Sequence, residues 1–262
     1  MILKNSQKTK PQQSVSTSIS DNQIYPQVCV QACNDDNAFN NFRRNPIYNE
    51  VLEHVSQYQG TQYLQEISKD SNILSKINDF KSNDDYGNPR IYEYPNIGFF
   101  SPTTLRYIKV LTDIKKYFHT INNLDICEIG VGYGGQCRII NTYYKPNTYC
   151  LVDLQCALSL TKKFLNNYII ETPIIYKTMD ELDNKKYDLV ISNYAFTELT
   201  KSVQDIYLEK IILNSKMGYI TYNEISSSYK LDELIKIIPK SKVYKEVPLT
   251  APTNCIIMWG ES

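Results

Sequence analysis

The chain of 262 residues contains little histidine and tryptophan and has no net charge. It contains two histidines and one tryptophan, and its 28 Lys and Arg residues balance 28 Asp and Glu residues. A chain without net charge gives no electrostatic reason to expect nucleic acid or an anionic membrane as a partner. It also lacks a bilayer-length apolar run and a secretory apolar segment near Met1. We therefore expect a cytoplasmic protein with no membrane partner.

Seven cysteines are present, but they lack the spacing of a metal site. Cys29 and Cys33 form a C-x-x-x-C pair, and no second pair follows. Cys127, Cys150 and Cys255 lie in apolar, strand-like runs, where cysteine behaves as a small hydrophobic residue. This usage indicates a reduced, intracellular protein and predicts no metal-binding residues.

Glycine is scarce as well, yet four of the nine glycines fall at positions 130 to 135. The stretch Asp125–Gln136 reads D-I-C-E-I-G-V-G-Y-G-G-Q, so an apolar run leads directly into the glycine cluster. Glycine takes positive φ angles and lets a ligand approach the backbone closely. A buried strand, a glycine turn and a helix are typical of a site for a nucleotide-like ligand at the carboxyl edge of a parallel sheet.

Two cofactor motifs fit this cluster. Gly130, Gly132 and Gly135 fit the G-x-G-x-x-G pattern of dinucleotide-binding proteins. Glu128 with Gly130, Gly132 and Gly134 fits the E/D-x-G-x-G-x-G motif of methyltransferases that depend on S-adenosylmethionine (SAM). The alternative without a ligand is a tight turn between strand and helix.

The first hundred residues divide into two regions by composition. Residues 1–27 are rich in Ser, Thr, Gln, Asn and Lys, which predicts a flexible extension. In residues 28–102, apolar stripes at helical spacing between about 37 and 82 predict three short helices. We interpret them as a helical cap, through which the chain would form a homo-oligomer, or as a cover for one sheet edge. Residues 83–102 form an aperiodic aromatic loop that is either a functional lid, with Asp84, Asp85 and Arg90 as its charges, or a solvated loop.

Residues 103–262 alternate between strand and helix patterns, which predicts a parallel sheet and an α/β, Rossmann-like domain. The predicted strands are 125–129, 148–153, 174–178, 187–192, 219–222, 242–246 and 254–259. The last two have no helix between them and must pair as an antiparallel hairpin. This C-terminal hairpin favours a class I methyltransferase over a dinucleotide-binding domain, which repeats strand–helix units.

Five segments carry a more specific resemblance: I-G-F-F-S-P-T-T-L-R-Y (97–107), I-C-E-I-G-V-G-Y-G-G-Q (126–136), Y-C-L-V-D-L (149–154), Y-D-L-V-I-S-N-Y-A-F-T-E-L (187–199) and E-V-P-L-T-A-P-T-N-C-I-I-M-W (246–259). Over roughly residues 39–259 the chain resembles the sugar O-methyltransferases, a SAM-dependent group related to macrolide-sugar methyltransferases. The resemblance implies a seven-stranded class I methyltransferase fold, SAM as the cofactor, and methyl transfer to a hydroxyl of a nucleotide sugar or a glycan.

The resemblance also implies a set of cofactor-binding residues. Asp153, at the end of the second strand, would accept hydrogen bonds from the ribose hydroxyls, because a carboxylate has two acceptor oxygens and no donor. Without a ligand, Asp153 would be a turn acid and Glu128 a partner of the helix N-terminus. The whole expected set is Glu128, Gly130, Gly132, Tyr133, Gly134, Asp153, Leu154, Met179, Asp180 and Asn193.

An alcohol is a weak nucleophile at neutral pH, so the reaction needs a group that takes the hydroxyl proton. His54 and His119 fall away from the carboxyl edge of the predicted sheet. We therefore expect no histidine base, unless His54 reaches in from the cap or from a neighbouring subunit. Glu198, Glu224 and Tyr194 follow strands and are better placed. For Glu198 the alternative is charge stabilisation of a helix N-terminus.

Three alternatives stay open. Some relatives use a divalent metal, and Mg²⁺ would need Glu198, Glu224 and an aspartate to gather in the fold. A non-catalytic scaffold with the same fold is the second alternative, because no base is obvious from the sequence. An NAD-dependent enzyme is the third, because the glycine pattern is shared with dinucleotide-binding proteins.

Overall fold

The structure is a computed structural model that describes residues 24–225 and 228–261. Its helices are α1 (Ile24–Asn34), α2 (Asp36–Asn41), α3 (Pro46–Val51), α4 (Gln57–Ile67), α5 (Ser71–Leu74), α6 (Ile77–Lys81), α7 (Pro102–Phe118), α8 (Gly135–Tyr143), α9 (Gln155–Leu165), α10 (Lys201–Lys210) and α11 (Leu231–Ile237). Its strands are β1 (Tyr92–Tyr94), β2 (Gly98–Phe100), β3 (Asp125–Ile129), β4 (Thr148–Val152), β5 (Ile174–Lys177), β6 (Tyr187–Asn193), β7 (Ser215–Tyr222), β8 (Lys242–Lys245) and β9 (Cys255–Trp259).

The seven strands β3 to β9 form one sheet in the order β5-β4-β3-β6-β7-β9-β8. Neighbouring strands from β5 to β7 are parallel, whereas β9 runs antiparallel to both β7 and β8. The predicted fold class is confirmed: an α/β, Rossmann-like fold with a mostly parallel sheet and a C-terminal antiparallel hairpin.

Two apolar clusters cover the two faces of this sheet, and the alternation of side chains along each strand divides them. In β3, Ile126 belongs to the cluster that contains α7, α8 and α9, whereas Cys127 and Ile129 belong to the cluster that contains α10 and α11. The first cluster continues into the N-terminal region through residues such as Phe42 and Tyr48. The cap therefore shares its core with the sheet.

The segment expected to hold three helices contains five, α2 to α6, and polar N-cap residues begin the first four of them. Asp35 accepts a hydrogen bond from the Ala38 amide (2.6 Å), and Asp70 accepts from the Ile73 amide (3.1 Å). Ser56 caps α4 in a capping box. Each cap satisfies backbone N–H groups that a new helix leaves without a partner, so the chain restarts a helix there.

The last four residues of the predicted extension and the predicted aromatic loop both contain regular structure. Residues 1–23 lie outside the described residues, but α1 begins at Ile24, so the boundary at residue 27 falls inside a helix. Tyr25, Val28 and Cys29 of α1 are buried, and the helix packs against α9. Within 83–102, β1 and β2 pair antiparallel, with Tyr92 opposite Phe100. Strands of three residues are too short to show an alternating pattern.

Candidate active site

A cavity of about 590 Å³ lies at the carboxyl ends of the parallel strands. It is lined by the turn after β3, by Asp153 after β4, by Met179 after β5 and by Asn193 at the end of β6. Its volume is in the range of ligand pockets. It also sits where the strand order reverses between β3 and its neighbours β4 and β6, which is the usual ligand position in such sheets.

The glycine turn after β3 needs glycine for conformational and steric reasons. Gly130 and Gly132 have φ angles of +76° and +58°. A Cβ on Gly130 would overlap the Cβ of Ala195, and one on Gly132 would lie 2.8 Å from Cδ1 of Leu52. The turn is therefore held between the segment that follows β6 and the end of α3.

Asp153 organises this turn. Its Oδ2 accepts hydrogen bonds from the amides of Val131 (2.7 Å) and Gly132 (3.1 Å), and its Oδ1 accepts one from the Leu154 amide (2.7 Å). Burial raises the pKa of the carboxyl, and the three N–H donors lower it. A carboxylate offers about four acceptor directions. Three are in use, so Asp153 keeps one for a ligand hydroxyl in the cavity that it lines.

Six of the expected cofactor residues besides Asp153 line the same cavity. They are Gly130, Gly132, Leu154, Met179, Asp180 and Asn193. The structure thus brings the ends of four neighbouring strands together around one space.

Glu128, Tyr133 and Gly134 do not line the cavity. Glu128 is 2% exposed, because the alternation along β3 turns it towards the face covered by α7 and α8. It accepts a hydrogen bond from the Tyr149 hydroxyl (2.7 Å), and burial raises its pKa to about 8. Tyr133 packs against Phe164 in the core. Gly134 takes a φ of +87° as the residue that precedes α8. All three therefore contribute to the structure of the turn on the side away from the cavity.

The three expected catalytic residues have different positions. Glu198 lines the cavity and accepts a hydrogen bond from Nδ2 of Asn223 (2.9 Å); burial raises the pKa of its carboxyl. Tyr194 also lines it, with an unusual positive φ of +66°, and its hydroxyl donates to Glu246. Glu224 is a correction: it forms an ion pair with Lys230 (2.8 Å) at the surface and does not line the cavity.

The cap supplies cavity residues that the sequence pattern did not indicate. Residues of α1, α3, α4 and the segments between them line one side: Tyr25, Val51, Leu52, His54, Val55, Gln59 and Tyr63. His54 lies away from the sheet edge but reaches the cavity from the cap, which is the exception that the sequence-based prediction allowed for. Burial and the neighbouring Arg106 lower the pKa of His54. Arg106 of α7 lines the cavity too, and its position in the S-P-T-T-L-R-Y segment was the available signal.

Asp84 in the predicted aromatic loop has a structural position. Its carboxylate accepts hydrogen bonds from Nη1 of Arg43 (3.0 Å), the Ser101 amide (2.7 Å) and Oγ1 of Thr104 (2.7 Å). Neither Asp84, Asp85 nor Arg90 lines the cavity.

Residues 24–225 and 228–261 contain neither a cluster of metal-ligating side chains nor a membrane-spanning helix. No group of three or more His, Cys, Asp and Glu side chains there is arranged to hold a metal ion. No helix in these ranges has the length and apolar character needed to cross a membrane.

No protein-family model and no curated protein matches the chain. Solved structures of similar fold include magnesium protoporphyrin IX methyltransferase from Synechocystis with bound SAM, at 10% identity and a TM-score of 0.45 over 80% of this chain and 95% of that one. Protein 1320 of Thermoplasma acidophilum aligns at 15% identity and a TM-score of 0.46 over 71% and 96%.

Phosphoethanolamine N-methyltransferase 2 of Haemonchus contortus, in complex with SAM, aligns at 15% identity and a TM-score of 0.42 over 53% of this chain and 38% of that one. The chain spans 58% of the length of the pyocyanin biosynthetic protein PhzM. Less than two thirds of these last two proteins is thus matched. With TM-scores below 0.5, none of these similarities indicates the reaction or the substrate of this chain.

Proposed function

We propose that the chain is a SAM-dependent O-methyltransferase that acts on a hydroxyl of a sugar, carried by a nucleotide or by a glycan. The observation that carries the donor assignment is Asp153, which lines the cavity at the end of β4 and binds the glycine turn. The sugar assignment rests on the sequence resemblance.

The contacts of Asp153 favour SAM over a dinucleotide. In dinucleotide-binding domains, backbone amides of the glycine turn bind the pyrophosphate. Here the amides of Val131 and Gly132 are bonded to the Asp153 carboxylate. A pyrophosphate would find these donors occupied and would face a like charge. An uncharged ribose hydroxyl of SAM would instead donate to the one remaining acceptor direction of this carboxylate.

The other lining residues fit the rest of the donor. Met179 and Asp180 would flank the adenine, the turn of Gly130 and Gly132 would face the amino-acid part, and Asn193 the sulfonium side. SAM supplies an electrophilic methyl group on positive sulfur. The chain's own contribution is to align an acceptor hydroxyl with that methyl, which is mainly an orientation effect.

Glu198 is the best-placed proton acceptor. Asn223 holds the carboxylate of Glu198 by a hydrogen bond. The pKa of Glu198 is raised by burial, which brings it closer to the values at which a general base works well. The Tyr194 hydroxyl donates to Glu246, so its oxygen can still accept a hydrogen bond from a substrate hydroxyl. His54 is the second candidate, because its lowered pKa keeps the imidazole neutral at pH 7.

Methyl transfer can be measured directly. The protein is incubated with methyl-labelled SAM and a panel of nucleotide sugars and free glycans, and mass spectrometry identifies products with one added methyl. We expect at least one sugar hydroxyl to be methylated. If S-adenosylhomocysteine binds but no panel member is methylated, the proposed activity fails and the non-catalytic scaffold becomes the better account.

A further inference from the structure

Arg106 makes fewer hydrogen bonds with the described residues than the other buried arginines do. Nε of Arg43 donates to Glu53 (2.6 Å), and its Nη2 donates to Ser101 (2.9 Å). Arg138 donates to the Phe80 carbonyl (3.0 Å). Arg106 is 8% exposed and makes a single long hydrogen bond, 3.4 Å from Nη2 to the Leu52 carbonyl.

Among residues 24–225 and 228–261, the Nε of Arg106 has no hydrogen-bond partner and no carboxylate forms an ion pair with its guanidinium. The nearby acids are engaged elsewhere: Glu53 with Arg43, Glu198 with Asn223, and Glu246 with Thr250. An arginine stays charged when buried and has five N–H donors in a rigid fork. A buried charge without a partner is unfavourable. Four of its five donors are therefore available to a ligand.

Two neutral donors from the cap face the same space. Gln59 and Tyr63 are four residues apart on α4, so they share one side of that helix, and both line the main cavity with Arg106. Gln59 uses its Oε1 to cap α4, which leaves its amide nitrogen unpartnered among the described residues. The Tyr63 hydroxyl likewise has no hydrogen-bond partner among them.

Arg106 lies on the side of the cavity that faces α4 and the end of β6. It also lines a small adjoining cavity that extends towards β6, β7 and β9, together with Tyr63 and Tyr194. Its guanidinium carbon lies 6.0 Å from the ring centroid of Tyr194. Asp153 and the glycine turn, in contrast, lie at the ends of β3 and β4.

We propose that Arg106, with Tyr63 and Gln59, forms an anion subsite for the acceptor, which carries a carboxylate or a phosphoryl group near the hydroxyl that is methylated. Two anionic oxygens match the fork of a guanidinium. The acceptor class is then a uronate-type sugar or a sugar phosphate. This inference rests on the proposed function for the identity of the reaction, and the subsite itself can be tested without turnover.

The test measures the melting temperature, Tm, with sodium acetate or inorganic phosphate at constant ionic strength, against sodium chloride. Saturating S-adenosylhomocysteine is present, so that the carboxylate of the donor is already bound. We expect Tm to rise by roughly 3–5 °C at ten times Kd in the wild-type protein. The larger response, to acetate or to phosphate, indicates which of the two acceptor classes is used.

The variant Arg106→Met removes the charge and keeps the length of the side chain. It should abolish the anion-dependent rise while leaving SAM affinity within about twofold, and it should raise Tm without anions because an unpartnered buried charge is gone. Arg90→Met is the matched control, since Arg90 is exposed and loses the same charge; it should keep the full rise. Tyr63→Phe removes only a hydroxyl and should reduce the rise, which keeps the test valid if Arg106→Met does not fold.

Three results would contradict the proposed subsite. The first is that anions raise the Tm of the wild-type protein no more than chloride does, and the second is that the anion-dependent rise in Tm persists in Arg106→Met. The third is that Arg106→Met lowers SAM affinity tenfold or more while anions have no effect on Tm. The last result would assign Arg106 to the carboxylate of SAM. If SAM and S-adenosylhomocysteine bind no variant, the proposed function fails, whereas the anion measurement, repeated without them, still reports on Arg106.

Discussion

Glu128 is a buried carboxyl group that should make the stability of the fold depend on pH. Burial raises its pKa to about 8, the hydrogen bond from Tyr149 lowers it, and the charge of Asp153 raises it; the ordinary value is 4.5. The folded protein therefore holds a proton at pH values where the unfolded chain has released it. Linkage makes this stabilisation complete below about pH 4.5 and lost progressively as the pH rises to about 8.

The magnitude follows from the size of the shift. Each pH unit inside this window removes about 1.4 kcal/mol from the free energy of unfolding. From about pH 5.5 to about pH 7.5 the loss is roughly 2–3 kcal/mol, or ~5–10 °C in Tm for a chain of this size. Glu128→Gln keeps an acceptor for the Tyr149 hydroxyl and has no charge. The variant should match the wild type below about pH 4.5 and exceed its stability increasingly above that, by roughly 1–2 kcal/mol at about pH 5.5 and roughly 4 kcal/mol at about pH 7.5.

Urea or thermal denaturation of both proteins at several pH values measures this difference. Other titrating groups, including His54, cancel in the comparison of wild type and variant. Glu93→Gln serves as the control, since Glu93 is exposed on β1, and its curve should run parallel to that of the wild type. Parallel curves for Glu128→Gln and wild type would refute the reasoning, because they would mean that the folded protein tolerates the charged carboxylate.

Two further predictions concern the turn and the base. Gly98→Ala should lower the free energy of unfolding by roughly 1 kcal/mol through its positive φ alone, since the atom nearest to the added Cβ would be 4.0 Å away. Gly130→Ala should lower it further in the same denaturation assay, because its Cβ would also overlap Ala195. Equal losses for the two variants would contradict this packing. Glu198→Gln should lower kcat by ~10²–10⁴-fold with SAM affinity unchanged, whereas Glu224→Gln should leave kcat unaltered; full activity of Glu198→Gln would place the base elsewhere.

The sheet was predictable because its signals are local. β3 begins and ends at the predicted residues, since an apolar run there is stopped by the glycine cluster. The C-terminal hairpin followed from chain length alone, as no helix fits between residues 246 and 254. β7 begins at Ser215, earlier than predicted. The sequence pattern did not show this start because Ser215 and Lys216 are polar and are not buried.

The cavity was only partly predictable because its far wall depends on distant contacts. No local pattern shows that α4 packs against α7 and places Tyr63 beside Arg106. Glu198 and Glu224 both follow strands, and only the structure shows that Lys230 pairs with Glu224 at the surface. The position of Glu128 follows from strand alternation, which places it on the buried face beside Tyr149.

Asp153 should bind the ribose of SAM, and the glycine turn should bind its amino-acid part. Isothermal titration of SAM, with NADH as the competing cofactor, tests it in the wild type, in Asp153→Ala and in the control Asp183→Ala, whose exposed side chain pairs with Lys177. We predict that SAM binds, that NADH does not, and that Asp153→Ala lowers SAM affinity by ~10–100-fold, the value of a hydrogen bond to a charged group, while Asp183→Ala does not change it. Unchanged SAM affinity in Asp153→Ala, or binding of NADH in place of SAM, would contradict the account.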